Sequence, residues 1–159
     1  MKQLLFLLTA LQLALPGWSQ SDSFSDEDLA IMAVIKKETQ SFFIGEYEDW
    51  KNCWVHSDDI YFEWVRSNVH HFYTKWSDLD RVMRPIITEN VGNGDLFYSQ
   101  RDDIKIMQEG DVAWVTYRQD LSGDISNEQR ILVKEDGEWK ITMVTVVASE
   151  TFPKFEATR

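Results

Sequence analysis

Spacings of four, three and four residues separate Ile31, Ile35, Glu38 and Phe42. In a helix those intervals place all four on one stripe, so a carboxyl stands among apolar neighbours. A carboxyl so placed can act as acid, base or ligand anchor, and charged residues are seldom buried without such a reason. The competing reading puts Glu38 at the edge of the stripe, reaching solvent or an ion-pair partner such as Arg130. His56, His70 and His71, with Asp58 and Asp59 nearby, are the candidates for a metal site. Adjacent histidines in extended chain point to opposite sides, and there is no His-x-His or His-x3-His pair, so no metal is expected. Cys53 lies in no nucleophile motif and no glycine-rich phosphate loop occurs, which leaves no cofactor to expect. The remaining signal is aromatic. Trp50, Trp54, Phe62, Trp64 and Trp76 crowd the first half of the chain beside Phe42 and Phe43, either filling a core or lining a pocket.

These residues need elements to position them. Ser25-Asp26-Glu27-Asp28 reads as a helix start, with a hydroxyl cap and acids at the positive end of the dipole. Leu29, Ile31, Met32, Ile35, Phe42 and Phe43 follow at helical spacing until Gly45. A short second helix is expected over residues 47–54 and a first strand over 60–65, where β-formers alternate. Residues 68–75 read as a loop or edge hairpin. Ser77-Asp78-Leu79-Asp80 opens a third helix with Leu79, Val82, Met83, Ile86 and Ile87 inward. Pro85 should kink that helix, and Gly92 and Gly94 should close it. Beyond Leu96 the pattern is strand and turn: residues 104–107 and 112–117 flank Gly110-Asp111, and 131–134 and 139–147 flank Asp136-Gly137, a strong hairpin signal.

The whole is α+β, with helices on one face of a curved antiparallel sheet. Its 159 residues suit one domain, and 43% hydrophobic residues exclude a disordered chain. A net charge of -11 repels phosphate backbones and anionic lipid, so nucleic acid is not an expected partner. Residues 4–15 form an apolar run after Lys2, too short to span a bilayer, and Gly17-Trp18-Ser19 suits signal peptidase. The expected organisation is a signal peptide over 1–19, a flexible start over 20–24, a domain over 25–150 and a tail over 151–159. The product would be secreted or periplasmic, with no membrane contact after cleavage. A single cysteine, Cys53, excludes an internal disulfide and is expected as a buried thiol.

Five stretches in order resemble the nuclear transport factor 2-like superfamily, and within it the SnoaL-like and ketosteroid-isomerase-like branch. They are Gly45-Glu46-Tyr47-Glu48-Asp49-Trp50, Trp54 with Asp58-Asp59, Trp76-Ser77-Asp78-Leu79, Gly110-Asp111-Val112-Ala113-Trp114 and Asp136-Gly137-Glu138-Trp139-Lys140-Ile141. The resemblance implies a cone-shaped curved sheet closed by three helices (a cystatin-like fold), an interior pocket and a homodimer through the outer sheet face. It implies no single function, because the fold hosts isomerases, cyclases, dehydratases and binding proteins. Counting along the chain puts the isomerase base at Trp64, the sheet-borne oxyanion acid at Gln129 and the helix-one donor at Glu38. Two of three positions therefore lack an acid, and Glu38 is the one catalytic candidate. The leading expectation is an exported small-molecule-binding domain for an apolar or aromatic compound, its pocket formed by Glu38, Phe42, Trp54, Trp64, Met83 and Gln129. An acid-base enzyme using Glu38 and a structural dimer with a filled core are the alternatives.

Overall fold

The computed structural model describes residues 23–89, 99–121 and 123–149. The expected leader, the closing Gly92 and Gly94, and the tail over 151–159 lie outside the described residues. Helix α1, Asp26–Ile44, begins at a reciprocal cap: Ser25 Oγ accepts from the Asp28 amide at 3.1 Å, and Asp28 Oδ2 accepts from the Ser25 amide at 3.0 Å. It ends at Gly45, whose φ of 84° is the left-handed conformation that glycine adopts freely. Ile31 and Ile35 are fully buried, whereas Leu29 is 54% exposed and turns to solvent rather than inward. Helix α2, Tyr47–Asn52, is shorter than expected, because Trp54 leaves it to make an isolated parallel bridge with Ile141.

Strand β1, Tyr61–Arg66, and strand β2, Val69–Tyr73, form an antiparallel hairpin. Helix α3, Trp76–Glu89, buries Leu79, Met83 and Ile87 and runs through Pro85. That proline removes one bond of the ladder, the one the Arg81 carbonyl would accept four residues earlier, and the helix continues past it to Glu89. Four long strands follow: β3, Ser99–Glu109, β4, Val112–Leu121, β5, Asp124–Glu135, and β6, Glu138–Ala148. The six strands make one sheet in the order β2-β1-β6-β5-β4-β3. The α+β class thus holds, with a curved, open sheet and three helices. All pairs are antiparallel except β1 with β6, a parallel pair that needs the long crossover through the later elements.

The hairpin at Asp136-Gly137 forms as its sequence requires, with φ of 51° and 84° at the two turn residues. Two register shifts bend the sheet. One lies between Asp102 and Lys105 on β3, where Asp103 has φ 52°, and the other is at Thr142 on β6, where Ile131 pairs Met143 but Leu132 pairs Ile141. Each extra residue flips the alternation, so Trp139 and Ile141 face the helices before the shift and Val144 after it. Ile31, Ile35, Trp50, Trp54, Leu79, Ile87, Leu132 and Ile141 form the centre of the core between helices and sheet. Among the described residues no helix is long and apolar enough to cross a membrane.

Candidate functional site

A cavity of about 260 Å³ lies between the helices and the β1–β2 hairpin. Helix α1 contributes Glu38 and Phe42, α2 contributes Trp50, and α3 contributes Val82, Met83 and Ile86. The hairpin adds Phe62 and Trp64 from β1 and their cross-strand partners Tyr73 and His71 from β2. Strand alternation sends these four to the helix side, while Tyr61, Glu63, His70 and Phe72 take the other face. There Glu63 accepts from Tyr61 Oη and pairs with His70 Nε2, both at 2.9 Å. The cavity floor is deeply buried, since Trp50 is 1% and Glu38 6% exposed, and its mouth opens near exposed His71 and Ile86. Ile86, expected inward, instead forms part of that rim.

Glu38 is held by donors on both oxygens. Trp50 Nε1 donates to Oε1 at 3.1 Å, and Oε2 lies 3.4 Å from Arg130 Nη2 and 3.3 Å from Thr39 Oγ1. Arg130, itself 4% exposed, is shared: its Nη2 is 2.8 Å from Glu128 Oε2 and its Nε donates to Tyr117 Oη at 2.8 Å. Glu128 also accepts from Tyr117, Gln119 and Ser126. Arg101 adds a second guanidinium, donating to Thr39 Oγ1 at 2.8 Å and lying 5.2 Å from the Tyr117 ring. Burial works against the charged form of Arg130, but Glu38, Tyr117 and Glu128 outweigh it and hold its pKa above the usual value. Burial likewise lifts the Tyr117 phenol well above its ordinary range. Arg101 Nε and Arg130 Nη1 are buried without a hydrogen-bond partner among the described residues.

The structure brings together Glu38, Phe42, Trp64 and Met83 around one cavity. Trp54 is not on its wall. It stands behind Trp50 and Phe62, with ring centroids 5.7 and 6.3 Å away. Gln129 is on the wrong face: it lies between inward-facing Glu128 and Arg130, so its side chain lines a polar depression on the outer sheet surface with Lys105, Thr116 and Thr145. The residues on the inner face at this level are Tyr117 and Gln119 of β4 and Ser126, Glu128 and Arg130 of β5, which the counting missed. Their signal is period two. Stepping back from buried Leu132 gives Arg130, Glu128 and Ser126, and stepping on from Ala113 and Val115 gives Tyr117 and Gln119. Cys53 caps α2 as a buried thiol, and burial pushes its pKa up to about 12, which leaves it unreactive near neutrality. No group of three or more His, Cys, Asp or Glu among the described residues is arranged to hold a metal ion.

No family model matches the chain, and no curated protein sequence matches it. Solved structures do match. A nuclear transport factor 2-like protein of unknown function from Silicibacter pomeroyi superposes with a TM-score of 0.62 at 9% identity, over 77% of this chain and 96% of that one. A protein of unknown function with a cystatin-like fold from Nostoc punctiforme gives 0.62 at 13% identity, over 81% and 96%. A candidate dehydratase of the nuclear transport factor 2-like family from Streptomyces avermitilis gives 0.58 at 13%, over 74% and 93%. At such identities the likeness speaks for architecture alone, and with the strand order and three helices above, the chain has the nuclear transport factor 2-like, cystatin-like fold.

Proposed function

We propose that this chain is a small-molecule-binding domain, exported after cleavage near Ser19, which holds an apolar or aromatic organic compound between its helices and its sheet. The observation that carries the reading is the cavity itself: about 260 Å³, walled by aromatic and aliphatic side chains, with the Glu38 carboxylate at its floor. Pockets for small organic ligands combine an apolar wall with a few placed polar groups in this way. The volume suits a compound of one or two rings. The stretches that resemble the SnoaL-like branch accord with this reading, and a homodimer through the outer sheet face is part of the same proposal.

A second reading, acid-base catalysis by Glu38, is favoured by the Arg130 guanidinium that bridges Glu38 and Glu128, and by the candidate dehydratase among the structural neighbours. Steroid double-bond isomerisation is not expected under either reading. That reaction needs a base for the carbon acid, and the position at which the resemblance implies that base is Trp64, whose ring cannot take up the proton.

Titration of intrinsic tryptophan emission with apolar and aromatic compounds of differing charge tests the proposal, since Trp50 and Trp64 line the cavity. A saturable change is expected, weakened about tenfold by Trp64→Ala through loss of buried aromatic contact. Absence of any saturable change across the panel, with a crystal whose interior is closed by side chains, would leave the structural-dimer alternative.

A further inference from the structure

The charges around the cavity floor are unevenly placed. Glu38 and Glu128 are two buried carboxylates that share one guanidinium, Arg130, which sits closer to Glu128 at 2.8 Å than to Glu38 at 3.4 Å. Arg101 hydrogen-bonds Thr39 and forms no ion pair with either carboxylate. No Lys or Arg lines the cavity. Arg66 lies 5.7 Å from the Trp64 ring and is tethered to Asp124 at 2.8 Å. Glu38 thus presents the one carboxylate of a space walled by Trp50, Phe62, Trp64 and Tyr73, while the guanidinium groups near it, Arg130 and Arg101, both lie off that wall. Aromatic faces carry the negative lobe of the ring quadrupole, and where water is excluded they attract a cation.

We infer that the ligand of this cavity is an organic cation, an amine or quaternary ammonium joined to a compact apolar or aromatic body, whose charged end sits against Glu38 and the aromatic wall. The inference rests on the binding reading above and narrows it. The competing class is a carboxylate or other anion drawn by the unpartnered nitrogens of Arg101 and Arg130. Neither arginine is on the cavity wall, and Glu38 stands between the cavity and Arg130, so an anion entering would meet a carboxylate first. The protein's net charge of -11 acts in the same direction by concentrating cations near its surface.

Three probes of similar size separate these classes: benzyltrimethylammonium, its uncharged carbon isostere neopentylbenzene, and the anion 3-phenylpropionate. Each is titrated by calorimetry and tryptophan emission against the full mature chain at low ionic strength. Benzyltrimethylammonium should bind at least tenfold tighter than neopentylbenzene, although dehydration favours the neutral compound, and 3-phenylpropionate at least tenfold more weakly than either. Glu38→Gln, checked for native folding by circular dichroism, should cut the preference for the cation to threefold or less while sparing the neutral isostere. Equal or tighter binding of neopentylbenzene, or tightest binding of 3-phenylpropionate, would overturn the inference of a cation and leave the pocket reading in place. Failure of all three to bind would overturn both. Because the wild-type comparison needs no variant, an unfolded Glu38→Gln protein leaves the probe ranking decisive.

Discussion

Arg130 is the residue on which the polar interior turns. Its guanidinium bridges Glu38 on α1 to Glu128 on β5 and also reaches Tyr117 on β4, so one side chain ties the helix to two neighbouring strands. Removing one member of a buried ion pair leaves an uncompensated charge, which typically costs about 3–5 kcal/mol. Arg130→Met should therefore lower stability by about 3–5 kcal/mol in urea unfolding, and Arg130→Lys, which keeps the charge but not the fork, by less. A cost below about 1 kcal/mol for Arg130→Met would mean that the cluster is solvated. Much of this could be read from the chain. The helical stripe marked Glu38, and Arg130 was its foreseen alternative partner. Glu128 was missed although the Ser126, Glu128, Arg130, Leu132 series has the required period of two. The failure at Gln129 has the same origin, since a one-residue error along a strand moves a side chain to the other face of the sheet.

At the scale of elements, α2 and α3 are clasped by Tyr47, which donates a short hydrogen bond to Asp80, while Arg84 bonds the same carboxylate at 2.9 Å and lies 4.6 Å from the Tyr47 ring. This clasp joins the two helices that carry Trp50 and Met83 to the cavity wall. Burial works to raise the Asp80 pKa, but the bonds from Tyr47 and Arg84 outweigh it and depress the carboxyl below its usual value. Burial, and then Asp80, push the Tyr47 phenol up to about 12. A depressed carboxyl contributes stability that is fully present above its unfolded pKa near 4 and is lost as pH falls through the folded value. Tyr47→Phe should cost about 1.5 kcal/mol at pH 7 and flatten the fall in stability below pH 4. Parallel unfolding curves of variant and wild type between pH 2 and 5 would refute the assignment. Helix starts, the Asp136-Gly137 hairpin and most strands were legible because each is signalled within a few residues. The parallel β1–β6 pair and the shift at Thr142 were not, because both depend on partners distant in sequence.

Across the whole molecule, the sheet face away from the helices carries an apolar row that crosses five strands in register. Met107 pairs Trp114, Trp114 pairs Ile131, Ile131 pairs Met143, and Met143 pairs Tyr61. Met107 and Trp114 are 58% and 43% exposed, and neighbouring Val112 is 48% exposed. Inner-face Ala113 and Val115 are fully buried, so β4 is apolar on both sides, as expected of a strand sandwiched between two layers. A contiguous apolar strip on an otherwise acidic surface needs cover, and isologous pairing through a two-fold axis is the commonest way a single chain supplies it. A second copy would bury Trp114 near the centre of such an interface, where aromatic side chains carry most of the binding energy. The homodimer proposed above should thus sediment at micromolar concentration with twice the single-chain mass. Trp114→Glu places a charge at the centre of the strip without disturbing the inner face, and should shift the protein to a monomer while leaving the cavity's ligand affinity within about twofold. A wild-type protein that sediments as a single chain at all concentrations up to about 100 μM, far above the dissociation constants of stable complexes, would leave the strip to a different partner. A dimer that survives Trp114→Glu would move the interface to another face.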